Sequence, residues 1–335
     1  MKILITTGIY PPQIGGPAQY AKNLKEALVK EGHEVKVVTY GIEKKLPTGI
    51  RHLFFFFKIL PKFLTSNFCI TLDTFSVGFP SVVAGVLFNK KVVIRTGGDF
   101  LWEKYLERTK EKILLREFYE NPAFEKLSIK EKNIFVMTKW TVKHAKALIF
   151  STDWQRKIWT KPYNLDSSKT FVIENYYGAK LSSNEPTKKD FIGISRPIQF
   201  KNLDTLKNVF EDSKLSDSGI ILDLEGVNHE KFLEKLKNCY AAILISLGDI
   251  SPNFIMDAIR FNKPFILTAE NGITERIKDI ALFVDPINQN EIKEKINYLL
   301  NPENYKNQVE KIQNFSFVHS WEEIAKEFVN IYEKI

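Results

Sequence analysis

Apolar residues fall in a repeating order along this chain: a short apolar run, a turn of small residues, then apolar positions at helical spacing. Residues 2–7 form the first run and end in small side chains. The turn at 8–16 contains Pro11, Pro12, Gly15 and Gly16. Residues 18–31 place Tyr20, Leu24, Leu28 and Val29 at helical spacing. Gly32 ends that helix, as a glycine beyond a helix C-terminus does, and 34–40 read as a second strand. A βαβ opening of this kind predicts a parallel, doubly wound sheet whose ligands sit at the carboxyl ends of the strands. The 8–16 turn then faces a crevice.

The alternation continues. Strands are expected at 68–72, 91–95, 147–151 and 170–173, with a helix at 80–88 and a charged helical stretch over 101–132. Residues 177–186 are polar, turn-rich and aperiodic, which marks a boundary near 178–189. A second α/β block follows, with strands at 191–195, 220–226, 241–246, 264–268 and 281–284. Its helices are expected at 203–211, 230–238, 253–261 and 289–300. The final stretch, 321–335, is an amphipathic helix with Ile324, Phe328, Ile331 and Tyr332 on its apolar face.

Length and composition agree with this layout. The chain has 335 residues, 44% hydrophobic and 26% charged, enough for two lobes. Its two cysteines, Cys69 and Cys239, are far apart, so neither a disulfide framework nor a zinc site is expected, and a reducing, cytoplasmic setting fits. The N-terminus reads as a strand start rather than a signal peptide, and no apolar run reaches the roughly 18–20 residues that span a bilayer.

Charge adds something new. The net charge is +8, with 28 Lys and Arg against 16 Asp and Glu in residues 1–178 and 20 against 24 in the remainder. A basic first half suggests an anionic partner: a membrane surface, a phosphorylated lipid or a nucleic acid. Residues 51–63 mix five phenylalanines with Arg51, Lys58 and Lys62. That mixture reads as a buried helix with its lysines on an exposed edge; an interfacial membrane segment has the same composition. No nucleic-acid motif is present, and the first turn lacks the G-x-G-x-x-G of dehydrogenases.

The stretch richest in chemistry is 245–264. It reads strand, loop, helix, loop, strand, and two carboxylates, Asp249 and Asp257, bracket the loop and the first helical turns. Ser251 suits the N-cap and Pro252 the first helical position, with Asn253 and Phe254 next. A helix start offers unpaired backbone N–H groups and a positive dipole end to a phosphate. The two acids can then reach hydroxyls on either side of it. Taken alone, they can equally be a loop acid and a solvated helix residue.

This segment resembles the family 4 glycosyltransferases of GT-B fold, whose E-x7-E motif has aspartates at both places here. The likeness extends to 193–202, which is similar to a strand-loop segment supplying an Arg and a Lys five residues apart, here Arg196 and Lys201. It extends to 268–275, similar to a Gly-rich turn with a glutamate, here Glu275. Residues 173–177 resemble an interdomain Pro-Asn-Gly-Val segment, with Asn175 matching. Residues 11–16 match an N-terminal Gly-Gly loop, here Gly15 and Gly16. Many members carry a His-Gly pair after the strand expected at 91–95. Gly97 stands in that histidine's place, and Asp99 is the nearest polar candidate. It can also cap the helix that follows.

The resemblance implies a GT-B architecture: two Rossmann-like parallel-sheet domains, 1–178 and 186–317, facing a central cleft, with the helix 318–335 returning to the first. It implies a retaining, metal-independent transferase with a nucleotide-sugar donor and a glycan, lipid-linked or small-molecule acceptor. The basic first half points further, to cell-envelope polysaccharide or glycolipid synthesis at the inner membrane face. Arg196 and Lys201 would grip the donor diphosphate, and Asp257 the ribose. Asp249 and Asp99 would act near the reacting sugar. The aspartate replacements and the missing histidine leave a second reading, a degenerate GT-B protein that binds nucleotide without turnover.

Overall fold

The computed structural model describes residues 1–13, 15–194, 196–212 and 218–335. It divides into two compact units. The first comprises Met1–Leu101, Leu127–Tyr176 and His319–Ile335; the second comprises Trp102–Lys126 and Tyr177–Val318.

In the first unit, β1 (Lys2–Thr7), β2 (Glu34–Thr39), β3 (Phe68–Thr71), β4 (Val92–Thr96), β5 (Ala147–Phe150) and β6 (Thr170–Val172) form one sheet. Its order is β2-β1-β3-β4-β5-β6 and every pairing is parallel. Strands covered on both faces need continuous apolar runs, and β3, β4 and β5 are buried at every position. The helix Trp321–Lys334 packs on the helix Gly16–Lys30. Ser320 and Glu323 close a capping box at its start, and Trp321 meets Tyr20 edge-on at 5.1 Å.

The second unit holds β7 (Lys189–Ile192), β8 (Ile220–Asp223), β9 (Ala241–Leu244), β10 (Phe265–Thr268) and β11 (Leu282–Val284). They pair in parallel in the order β11-β10-β9-β7-β8. The strand order reverses between β7 and β9. Two apolar clusters belong to this unit, one around Ile255, Phe265 and Leu267, the other around Phe191, Ile243 and Ile296. Lys180 fixes the helix Asn253–Arg260 from its C-terminal end: its Nζ donates to the carbonyls of Ile259 (2.9 Å) and Ile312 (2.5 Å). Burial pulls that lysine down to about 8.

Three features differ from the sequence reading. Pro302–Gln313 is a helix that the apolar pattern did not show. Its buried residues are only Gln308 and Ile312, and it starts on an Asn301 side chain that accepts from the amides of Glu303 and Asn304. The segment Trp102–Lys126, expected with the first lobe, packs in the second unit. The helix Thr48–Thr65 buries His52, Phe55, Ile59 and Phe63, so the core reading of 51–63 holds for one face; Ile50, Leu53, Phe54 and Phe57 are exposed on the other. Among the described residues, no helix is long and apolar enough to cross a membrane.

Candidate functional site

In doubly wound sheets a ligand site forms where the strand order reverses, because neighbouring loops open away from each other at that point. In the second unit this places it at the carboxyl ends of β7 and β9, where Lys201 and Asp249 meet.

After β7 the chain forms a short turn, Gln199–Lys201. Asn202 then adopts a left-handed conformation, φ 54°, which asparagine tolerates better than most residues. Its side-chain amide donates to the carbonyls of Ile245 (3.3 Å) and Pro286 (2.7 Å), and its Oδ1 accepts from Thr205 Oγ1 at 2.7 Å. One buried side chain thus ties the β7 loop to the ends of β9 and β11. Lys201 follows from that anchoring: its Nζ lies 2.6 Å from Asp249 Oδ2, and the two side chains are 12% and 13% exposed.

Asp249 is held through its backbone. Its amide donates to the Glu270 carbonyl at 2.8 Å, and its own carbonyl accepts from the Gly272 amide at 3.1 Å. The Leu247 amide donates to the Phe200 carbonyl at 2.8 Å. The three loops after β7, β9 and β10 are therefore stitched into one rim by main-chain hydrogen bonds. An ion pair on such a rim keeps its geometry with little further loss of side-chain freedom.

The segment 102–126 covers part of this rim. The Leu115 amide donates to the Leu247 carbonyl at 3.2 Å. The Trp102 ring lies 5.4 Å from Phe200, and Glu107 Oε1 accepts from the Gln199 amide at 2.8 Å. Gly248 shows how close the approach is. A Cβ there would stand 2.7 Å from Leu115 Cβ and 3.2 Å from the Trp102 ring.

Other expected site residues are placed differently. Arg196 is exposed, and its guanidinium makes no ion pair with the described residues. Asp257, expected to hold the donor ribose, pairs with Arg260 at 3.1 Å. Burial pushes its carboxyl up, and the Arg260 charge opposes that. Ser251 does not cap the helix Asn253–Arg260. Pro252 occupies the N-cap position, and Ser251 Oγ is buried without a hydrogen-bond partner. Asn253 is exposed at the first helical position, while the Phe254 ring turns into the core, 5.5 Å from Phe232. Glu275 is 91% exposed and lies 3.5 Å from Lys278.

Glu270 is the acid that the motif reading passed over. It is 2% exposed, its Oε1 lies 2.9 Å from Arg116 Nη2, and its Oε2 is buried without a hydrogen bond. Burial raises its carboxyl, the Arg116 charge lowers it, and Glu117 and Asp285 raise it further. The pattern around 268–275 gave no sign of this, because the partner comes from a segment more than 150 residues away.

The remaining expected residues belong to the first unit. Gly15, at φ 153°, begins the helix Gly16–Lys30, and its carbonyl accepts from the amides of Ala18 and Gln19. Only glycine takes that backbone conformation readily. Asp99 is buried and accepts from the Trp159 indole at 2.7 Å. Asn175 Oδ1 accepts from Arg95 Nη2 at 2.5 Å, and the Arg95 guanidinium lies 4.0 Å from the Tyr20 ring centre. This arginine fills the place beside Gly97: a Cβ at 97 would stand 2.5 Å from Arg95 Nη1. The position where a histidine was missing is thus occupied from two residues upstream. Cys69 and Cys239 are both buried free thiols.

No protein-family model matches the chain. An uncharacterized glycosyltransferase of Methanocaldococcus jannaschii is 52% identical over 44 residues, which cover 13% of this chain and 11% of that relative. Solved structures match along the whole length. Sucrose-phosphate synthase from Thermosynechococcus elongatus has a TM-score of 0.68 at 15% identity, over 99% of this chain and 98% of that one. HepE from Anabaena, in complex with UDP, has a TM-score of 0.67 at 12% identity over all of both chains. WaaG, a glycosyltransferase involved in lipopolysaccharide biosynthesis, has a TM-score of 0.66 at 11% identity over 99% of both. Two parallel-sheet α/β units in this order, matched by these structures from end to end, are the GT-B fold.

Proposed function

We propose that the protein is a glycosyltransferase whose second unit holds a nucleotide-sugar donor at the carboxyl ends of β7, β9 and β10. The observation that carries this reading is the Lys201–Asp249 pair at the reversal of strand order, 2.6 Å apart and fixed by main-chain hydrogen bonds. An ammonium there can neutralise the diphosphate as it departs, and electrostatic stabilisation of that kind is a large term in catalysis. Asp249 both orients the ammonium and offers an acceptor to sugar hydroxyls. The start of the helix Asn253–Arg260 adds backbone N–H groups for a phosphate, and Asp257, held by Arg260, serves the ribose. The reading also draws on HepE, whose solved complex contains UDP.

In this proposal the departing charge is met by side chains, with Arg196 joining Lys201 through its exposed guanidinium, and no metal is assigned. The reaction retains anomeric configuration, the departing phosphate takes the acceptor proton, and the acceptor is a glycan, a lipid-linked glycan or a small molecule of the cell envelope. The test is a panel of nucleotide sugars scored by thermal shift, followed by mass analysis of products with the best binder. Transfer or hydrolysis abolished by Lys201→Ala supports the assignment. Tight nucleotide binding with no turnover under any acceptor would favour a binding protein on the same fold.

A further inference from the structure

The helix Thr48–Thr65 carries two apolar stripes. One, His52, Phe55, Ile59 and Phe63, faces the core of the first unit. The other runs along the opposite side at positions 50, 53, 54, 57, 61 and 64, again at helical spacing. On it Ile50 is 57% exposed, Leu53 59% and Phe57 60%, with Phe54 and Leu64 exposed as well. A helix with apolar stripes on two opposite faces ordinarily buries both. An uncovered apolar stripe this long marks a surface that something else covers.

The stripe continues onto its neighbours. The helix Thr48–Thr65 packs beside Gly78–Leu87, which packs beside Ile129–His144. Val86 and Leu87 are exposed at the end of the second helix, and Lys90 Nζ ties the following turn to the carbonyls of Phe63 (3.1 Å) and Ser66 (2.7 Å). On the third helix the outward positions mix apolar residues and cations: Ile129, Lys132, Val136, Lys139 and Lys143 are all exposed. Beyond them, between Ile129–His144 and the end of the helix Asp153–Tyr163, lies a cavity of about 310 Å³ lined in part by Lys139, Lys143, Lys169 and Asp166. One helical layer therefore runs from an apolar half to a cationic half.

We propose that this layer docks on an anionic lipid bilayer. The first unit carries 24 Lys and Arg against 14 Asp and Glu, a net +10, whereas the second carries 24 against 26. A second copy of the chain would have to bring two such cationic faces together. A nucleic acid would match the lysines and leave the phenylalanines facing phosphate. An anionic bilayer satisfies both halves: the Phe and Leu side chains enter the interface, and the lysines reach the headgroup phosphates. The proposal stands apart from the transfer reaction and does not depend on it.

The experiment is co-sedimentation of the full chain with vesicles of phosphatidylcholine alone and of phosphatidylcholine with phosphatidylglycerol, at low and high salt. The expected result is binding to the anionic vesicles at least about tenfold tighter than to the neutral ones, weakened by salt. The double substitution Phe54→Ser with Phe57→Ser should reduce that binding about tenfold or more. So should Lys132→Glu with Lys143→Glu, a second pair of exposed residues, each variant keeping the wild-type circular dichroism spectrum. Equal binding to both vesicle types would overturn the proposal, as would undiminished binding by folded variants of both kinds. A dimer in sedimentation equilibrium that the phenylalanine substitutions dissociate would overturn it in favour of a second copy.

Discussion

The Arg116 guanidinium, carried by a segment that leaves the first unit and returns to it, closes on a Glu270 carboxylate that has almost no contact with water. Removing one partner of a buried pair leaves the other charge uncompensated, although the exposed arginine softens the effect. Arg116→Ala should therefore cost about 1 kcal/mol and loosen residues 102–126. Limited trypsin digestion checks this: cleavage within that segment should speed up severalfold, and adding Glu270→Gln should restore part of the protection. Unchanged digestion would show that the ion pair does not hold the segment.

Gly248 offers a steric test of the same contact. A methyl group there would collide with Leu115 and Trp102, and overpacking of this kind costs roughly 1–3 kcal/mol. Gly248→Ala should lower the midpoint of urea unfolding accordingly. Gly49, in the exposed first turn of the helix Thr48–Thr65, has nothing within 4 Å of its added Cβ. Gly49→Ala should leave stability unchanged or raise it by about 0.5–1 kcal/mol. Matching losses in both variants would mean that the packing at 248 is not the cause.

Loss of the ammonium at 201 should reach the reaction far more than the fold. Under the proposed function, Lys201→Ala lowers turnover by more than about 100-fold, on the order of 3 kcal/mol as for a lost oxyanion-type donor. Its melting temperature should stay within a few degrees of wild type. Steady-state kinetics with the donor identified from the panel measure it, and near-normal rates would remove Lys201 from the chemistry.

His52 sets an acid limit. It is buried between Phe75 and Phe79, and neither ring nitrogen has a hydrogen bond. Burial, helped by the Arg51 charge, lowers it from 6.5 to about 4. Since the folded value lies below the unfolded one, its contribution is complete above about pH 6.5 and is lost as pH falls towards 4. The loss should be on the order of 2 kcal/mol, discounted for partial solvation. Denaturant titrations at pH 7 and pH 4.5 should show His52→Phe losing less stability across that interval than wild type. An equal loss would place the acid sensitivity elsewhere.

Most of the architecture could be read from the chain because parallel strands buried on both faces must be apolar throughout, as in β3, β9 and β10. Lys201 was singled out by resemblance and Asp249 by its place after an apolar strand, and the structure sets the two side chains 2.6 Å apart. What escaped were properties of tertiary contact. Nothing local shows that 102–126 packs in the second unit, so the Arg116–Glu270 pair could not be read from the chain. Ser251 precedes a proline and has a good capping side chain, yet the backbone places Pro252 at the cap instead. Helix Pro302–Gln313 escaped because it rests on polar capping and two buried side chains rather than on an apolar stripe.

The pairing of the helices Gly16–Lys30 and Trp321–Lys334 has a consequence for how the protein is made. Leu24 and Leu28 share a core with Ile324 and Phe328, so a nascent chain halted before residue 321 leaves the apolar face of the helix Gly16–Lys30 uncovered. The first unit is then completed only after all of the second has been made, and a ribosome-bound chain whose helix Gly16–Lys30 still awaits Trp321–Lys334 should be a substrate for chaperones that recognise exposed aliphatic side chains.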